Sequence, residues 1–340
     1  MIKSIDYFNY GLTLTDEEIK IQKKILDWIP NEIIDCHVHC GQEEDILNIE
    51  ERTYKHVMST FLSNSIEQSE LIHQVLLPEK IVHNLKFPFV FKGINHKNSN
   101  TYLLEKSSNI DNIALYGIPD EIDYTIKMLN QGNFSALKMY PAYFNPNATK
   151  IYEYFPREIL KVVQETGIPI ILHLPCSLIK CIDQVITLLE DFPYLKVVIC
   201  HMGLSKIISD DLIKVYLDLK KYKNVFFDNA MIQSEEVFFN AINIFGSERI
   251  LFGSDEPLHL IRANVYINPI LGERYISEYP YHWLDKNEVC KYKNFSKVKV
   301  SMFWQILDSM YFAISKFPDK EQTIIKNNIF FNNSKSLFNF

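Results

Sequence analysis

Five polar residues recur at nearly constant spacing along this chain, each closing a short apolar run. From Lys138 to His173 is 35 residues; the next steps are 28 to His201, 27 to Asp228 and 27 to Asp255. One strand–helix unit takes about 30 residues. Each polar residue therefore falls one unit after the last, at the same height in a layered α/β architecture. The spacing predicts a (β/α)8 TIM-like barrel, the fold that gathers the C-terminal ends of all its strands at one mouth. A doubly wound open sheet, the competing α/β fold, would string these residues along an edge. It would also normally carry a glycine-rich phosphate loop, and the sequence has none.

Eight β-rich runs fit this scheme: Ile33–His39, Phe87–Ile94, Ile113–Pro119, Ala136–Pro141, Pro169–Pro175, Lys196–Met202, Val225–Ala230 and Ile250–Pro257. Most are nearly continuous in Ile, Val, Leu and Phe, as parallel strands covered on both faces should be. Helical signals stand between them. Pro156 opens one helix and Gly167 stops it; Ser234 followed by Glu235 and Glu236 opens another, which Gly246 stops. The expected organisation is a single domain over 1–340. Residues 1–32 form an N-terminal extension with a helix at Asp16–Trp28, and residues 33–340 form the barrel. Long insertions follow strand one (40–86, with a helical pattern near Ile66–Leu77) and strand eight (258–300).

Composition excludes several partners. The chain has 35 Lys+Arg against 42 Asp+Glu, a net charge of −7, with no basic patch interleaved with aromatics. Nucleic acid is therefore not an expected partner. No run approaches the roughly 18 apolar residues of a membrane span, and no signal-peptide layout opens the chain. The six cysteines include no CxxC pair, and four lie in or beside apolar runs. A reduced, cytoplasmic protein is the simplest expectation, with a homodimer as the default assembly.

The first run ends in His37-Val38-His39. Residues i and i+2 of a strand share a side, so the two imidazoles can grip one ion. Together with His173 and Asp255 they make a nitrogen-and-oxygen donor set for Zn²⁺ or a similar divalent ion such as Mn²⁺. Such an ion activates water and polarises a carbonyl. His201 remains as a proton-transfer or oxyanion-stabilising group, and Asp255 can serve both as ligand and as proton acceptor.

The motifs Asp35-Cys36-His37-Val38-His39-Cys40-Gly41, Ile171-Leu172-His173, Val198-Ile199-Cys200-His201-Met202-Gly203 and Leu251-Phe252-Gly253-Ser254-Asp255-Glu256-Pro257 resemble those of the amidohydrolase superfamily. The resemblance is closest to its second large subgroup, of metal-dependent hydrolases and decarboxylases, and runs from about residue 33 to the C-terminus. It implies a distorted barrel with a metal at the mouth. His37 and His39 would be the strand-one ligands, His173 that of strand five and Asp255 that of strand eight, while His201 would act on substrate or water. Lys138 stands where binuclear relatives carry a carboxylated lysine, so a second metal is expected only if Lys138 is so modified. The subgroup is typically mononuclear, which favours an unmodified lysine facing an anionic substrate group.

Tyr140, Tyr143, Arg262 and Arg157 are further substrate-binding candidates, with Tyr140 and Arg262 preferred, and Asp228 is expected to hydrogen-bond to a ligand histidine. His259 is close enough in sequence to reach the mouth. His56, His73, His83, His96 and His282, and Trp28, Trp283 and Trp304, read as surface or packing residues. The leading expectation is a hydrolase of a small polar amide, ester or lactone that uses metal-activated water. A non-oxidative decarboxylase built on the same site is the alternative. A catalytically silent, metal-free binding barrel is the third reading, and stoichiometric metal retention would exclude it.

Overall fold

The computed structural model describes residues 9–48, 51, 64–144, 146–270, 272–281 and 283–340. His56 and His282 lie outside them. Eight strands form one sheet in sequential order: β1 (Glu32–His39), β2 (Ile81–Phe87), β3 (Asn112–Tyr116), β4 (Ala136–Met139), β5 (Ile170–Leu172), β6 (Val197–Ile199), β7 (Val225–Asp228) and β8 (Ile250–Leu251). Every adjacent pair is parallel. Beyond β8 the chain returns to β1 through Cys36 N to Phe252 O (3.0 Å) and His39 N to Glu256 O (2.9 Å), which nearly closes a (β/α)8 barrel.

The inward residues of alternate positions fill the barrel. Leu85, Phe87, Ala114, Ala136, Ile171, Val198, Cys200 and Leu251 form one buried cluster, and Leu337 and Phe338 of the last helix join it. The C-terminal helix thus plugs one end of the barrel and leaves the other end for polar groups. The larger core lies between sheet and helices. The helix Arg157–Thr166 shows how sequence sets it: Ile159, Leu160 and Val163 are buried, and Gly167 ends it at φ 74°.

The second strand departs from the sequence expectation. The expected run is Phe87–Ile94, but β2 is Ile81–Phe87. Its polar residues find partners on neighbouring elements. His83 bonds Ile110 O and Glu32 Oε1 (both 2.8 Å), and Lys86 Nζ donates to Asp111 Oδ2 (2.8 Å). Paired polar groups are tolerated in a buried layer, so this strand does not read as an apolar run. Phe89, Val90 and Ile94 instead pack in small clusters beyond the strand ends.

The N-terminal helix spans Asp16–Trp28, with a capping box between Thr15 and Glu18. The first insertion carries the helix Ile66–Leu76. The second contains a hairpin, β9 (Asn264–Asn268) with β10 (Gly272–Ile276), which the mixed composition did not announce. A disulfide joins Cys176 and Cys181, contrary to the expectation that all six cysteines are reduced. Their separation of five residues bends the β5 loop back onto the start of the next helix. Cys36, Cys40, Cys200 and Cys290 are free. Among the described residues no helix is long and apolar enough to cross a membrane.

Candidate metal centre

The open end of the barrel collects histidines and aspartates from five strand ends. The β1–β2 register shifts between Asp35 and Val38. Cys36 enters the interior cluster, while His37 and His39 both reach Asp255: its Oδ1 lies 3.3 Å from His37 Nε2 and 3.2 Å from His39 Nε2. Gly253 makes room for this approach, because a Cβ there would stand 2.8 Å from His37 Cβ. Asp255 and His201 have φ values of 65° and 56°. That left-handed backbone is sparsely populated by side-chain-bearing residues and persists where surroundings enforce it.

Asp228 ties three strands together. Its Oδ2 accepts from His37 Nδ1 at 2.9 Å, and its Oδ1 accepts from His201 N at 2.7 Å. With its Nδ1 proton committed to Asp228, His37 turns a bare Nε2 inward, buried and without a hydrogen-bond partner. His201 Nδ1 donates to Ala230 O at 3.0 Å, which leaves Nε2 as its free nitrogen. His37, His201 and Asp255 each offer a donor atom, all within 4.8 Å of one another. An orphaned imidazole nitrogen beside a carboxylate and a further imidazole fits a divalent ion.

His173 stands slightly apart. Its ring centre is 5.2 Å from that of His201, its Nδ1 donates to Leu174 O, and its Nε2 accepts from Tyr140 OH at 3.2 Å. Of the two close donor groups among the described residues, one is His37, Cys200 and Asp228, and the other contains His201 where the sequence reading put His173.

The electrostatics favour neutral imidazoles and ionised carboxylates. Burial, reinforced by Lys138, lowers His37 to about 4. Burial likewise lowers His39, and burial with His201 and Lys138 lowers His173 well below the usual range. Burial alone would raise Asp255, but His37, His39 and His201 outweigh it and hold its carboxyl well below the usual carboxylate range. His37 similarly overcomes burial at Asp228.

Lys138 is fully buried under the site. Its Nζ donates to Cys200 Sγ at 3.4 Å and lies 4.9 Å from the centre of the Phe87 ring. Phe87 also meets His37 and His39 edge-on. Neither Cys200 nor Phe87 was singled out from sequence. Both sit at inward positions, and the adjacency of Cys200 to His201 was the available signal.

Arg262 is a correction. The sequence reading has it bind a substrate anion, but its guanidinium is spent inside the protein. It pairs with Glu18 at 2.6 Å, donates to Tyr10 O and Thr13 O, and stacks on the Tyr10 ring. Arg262 anchors the N-terminal extension to the second insertion. Both side chains are buried (3% and 0% exposed), and removing one partner of such a pair costs about 3–5 kcal/mol. Arg262→Ala should lower unfolding stability by about that much in denaturant titration; a loss under about 1 kcal/mol would assign the pair no structural weight.

The remaining candidates lie elsewhere. Arg157 pairs with Asp191 at the surface, and Tyr143 OH donates to Asp120 at 2.6 Å. His259 is buried, its N donating to Asp255 O at 3.3 Å and its ring against Phe303. His96 stacks on Tyr116, and His83 bridges β2 to its neighbours. His73 is not a packing residue, because it faces the carboxylate of Glu256. Trp304 is buried, Trp28 packs on Tyr311, and Trp283 stacks on Tyr281.

A family model described as amidohydrolase matches residues 115–282. That stretch, just under half of the chain, is similar to the amidohydrolase family. The fold agrees with solved structures across nearly the whole chain. An amidohydrolase 2 from Bifidobacterium longum subsp. infantis is 12% identical, with a TM-score of 0.55 over 91% of this chain and 99% of that one. A probable 2-pyrone-4,6-dicarboxylic acid hydrolase from Acinetobacter baumannii, with citric acid bound, is 15% identical, with a TM-score of 0.55 and the same coverage. A 5-carboxyvanillate decarboxylase from Novosphingobium aromaticivorans, complexed with manganese and a nitrobenzoic acid, is 10% identical, with a TM-score of 0.53 over 91% and 96%. A search of curated proteins gives no match. The chain therefore shares its barrel fold with hydrolases and decarboxylases alike.

Proposed function

We propose that this chain is a mononuclear metal-dependent hydrolase of a small polar amide, ester or lactone. One observation carries the reading: the buried Nε2 of His37 faces Asp255 and His201 with no hydrogen-bond partner among the described residues. His37, His39 and Asp255, with His173 once its nitrogen is released by Tyr140, would hold the ion. A divalent ion there supplies Lewis acidity and brings the pKa of bound water near about 7.

The protein's own groups supply the rest. Asp255, ionised and flanked by imidazoles, accepts the proton of an attacking water. His201, oriented through Nδ1, presents Nε2 to the oxyanion or to the leaving group. Tyr140 OH can turn from His173 towards a substrate oxygen. Lys138, beneath the ring of Phe87, offers its amine to an anionic substrate group, and we read it as unmodified. Asp228 fixes the tautomer of His37.

Decarboxylation is the second reading, favoured by the buried Phe87 and Cys200 that wall the site. A desolvated carboxylate loses stabilisation that its uncharged product does not need. His201 would then return the proton that replaces CO2. A screen of lactones, esters and aryl carboxylates with zinc- or manganese-loaded protein separates the two. Incorporation of ¹⁸O from water into product supports hydrolysis; CO2 release without ¹⁸O uptake selects the lyase. A protein that retains no stoichiometric ion would overturn both.

A further inference from the structure

Three of the residues read as ligands face one another across a single seam. His37 and His39 belong to β1, and Asp255 to the irregular backbone that follows β8. This seam is poorly supplied with regular pairing, since β8 is only Ile250–Leu251. Past it, the two sides are joined by isolated backbone bonds such as Asp255 N to His37 O (3.0 Å) and His39 N to Glu256 O (2.9 Å). A few bonds thus decide how Asp255 stands towards the two imidazoles.

A buried polar group crosses the same seam. Asn64, fully buried, donates from Nδ2 to His39 O and to Glu256 Oε1, both at 2.8 Å. Its own backbone carbonyl accepts from Gly41 N and Cys40 Sγ, both at 2.9 Å. Glu256 is also fully buried, and its Oε2 lies 3.0 Å from His73 Nε2. Asn64 immediately precedes the N-cap Ser65 of the helix Ile66–Leu76, which carries His73. The first insertion therefore touches both sides of the seam with one amide and one imidazole.

Packing alone does not explain this arrangement. A buried carboxylate carries a desolvation penalty that an apolar side chain of similar volume avoids, and buried ions are best attested where they fix a register. Here one carboxylate oxygen accepts from the Asn64 amide, and the other lies in charge contact with the His73 imidazole, so both sides of the seam are linked through Glu256.

We propose that Asn64, Glu256 and His73 form a seam lock, a set of positioning residues that sets the placement of Asp255 relative to His39 and thereby the site's affinity for its ion. The inference rests on the ligand reading above. The test is the Zn²⁺ dissociation constant of the full chain, measured by competition with a chromophoric chelator, together with the Tm of the metal-free protein. Asn64→Ala removes both bridging hydrogen bonds without changing any charge. Glu256→Gln keeps an acceptor for Asn64 and removes the ion pair. Asn64→Ala should weaken Zn²⁺ binding by about 10- to 100-fold, the usual effect of losing a group behind a ligand. Glu256→Gln should weaken it several-fold, and the double variant should bind little worse than Asn64→Ala alone, because both act through the placement of the Glu256 side chain. A lowered Tm with unchanged Zn²⁺ affinity in folded Asn64→Ala would make the contact merely structural and overturn the lock. If Asn64→Ala does not fold, unchanged affinity in Glu256→Gln overturns it equally. Wild-type protein that binds no Zn²⁺ would overturn the ligand reading and the lock with it.

Discussion

Asp255→Ala is expected to strip the protein of its divalent ion while leaving the barrel folded. The carboxylate is the group on which the site converges, since one of its oxygens contacts both His37 and His39 within 3.3 Å. It also supplies the negative charge that a dication needs among neutral imidazoles. Protein zinc sites bind with roughly 10–16 kcal/mol, so one ligand of four carries on the order of 3 kcal/mol, or about a hundredfold in affinity. Loss of the charged ligand should exceed that share. The fold should survive, because the backbone bonds of Asp255, not its side chain, help to close the barrel. Elemental analysis after dialysis, with circular dichroism as the folding control, tests this. Stoichiometric metal in a folded Asp255→Ala protein would remove Asp255 from the ligand set. His37→Ala should behave alike, with one difference: it also leaves Asp228 buried without its imidazole partner, so some stability should be lost as well.

The barrel was legible because its period is written in residues that cannot be hidden. A His or Asp at the end of an apolar run stands out, and Lys138, His173, His201, Asp228 and Asp255 mark β4 to β8 in turn. The second strand was misplaced for the opposite reason. Its polar residues are paired with Asp111, Glu32 and a backbone carbonyl, so they look like loop residues until their partners are known. Arg262 misled in the same way from the other side: a cation near the mouth in sequence proved to be neutralised by Glu18, 244 positions away. Long-range pairing of charges leaves no local trace. The expected donor residues do gather at one mouth, but the exchange that sets His201 beside His37 and Asp255 and leaves His173 slightly apart depends on Tyr140 and on the left-handed backbone at His201, which spacing alone does not encode. Asn64 and Glu256 were overlooked because a buried amide or carboxylate reads as a surface residue whenever its partner lies on another element.

That exchange makes His201 the most informative single substitution. His201→Ala should keep the ion and lower kcat by about 10²- to 10⁴-fold, the usual contribution of a positioned proton-transfer group. The surrounding structure holds the residue in place. Its backbone N is fixed by Asp228, its Nδ1 by Ala230 O, and its remaining nitrogen faces Asp255. His173→Ala should do the reverse and lose metal, since His173 needs only to exchange the Tyr140 hydroxyl for the ion. Metal content and single-turnover rate, measured on both variants, separate the roles. If His201→Ala loses the ion while His173→Ala retains it, the two histidines trade places: His201 becomes the ligand, and His173 with Tyr140 becomes the pair that handles the proton. The hydrogen bond between those two side chains already provides the contact that such a relay would need.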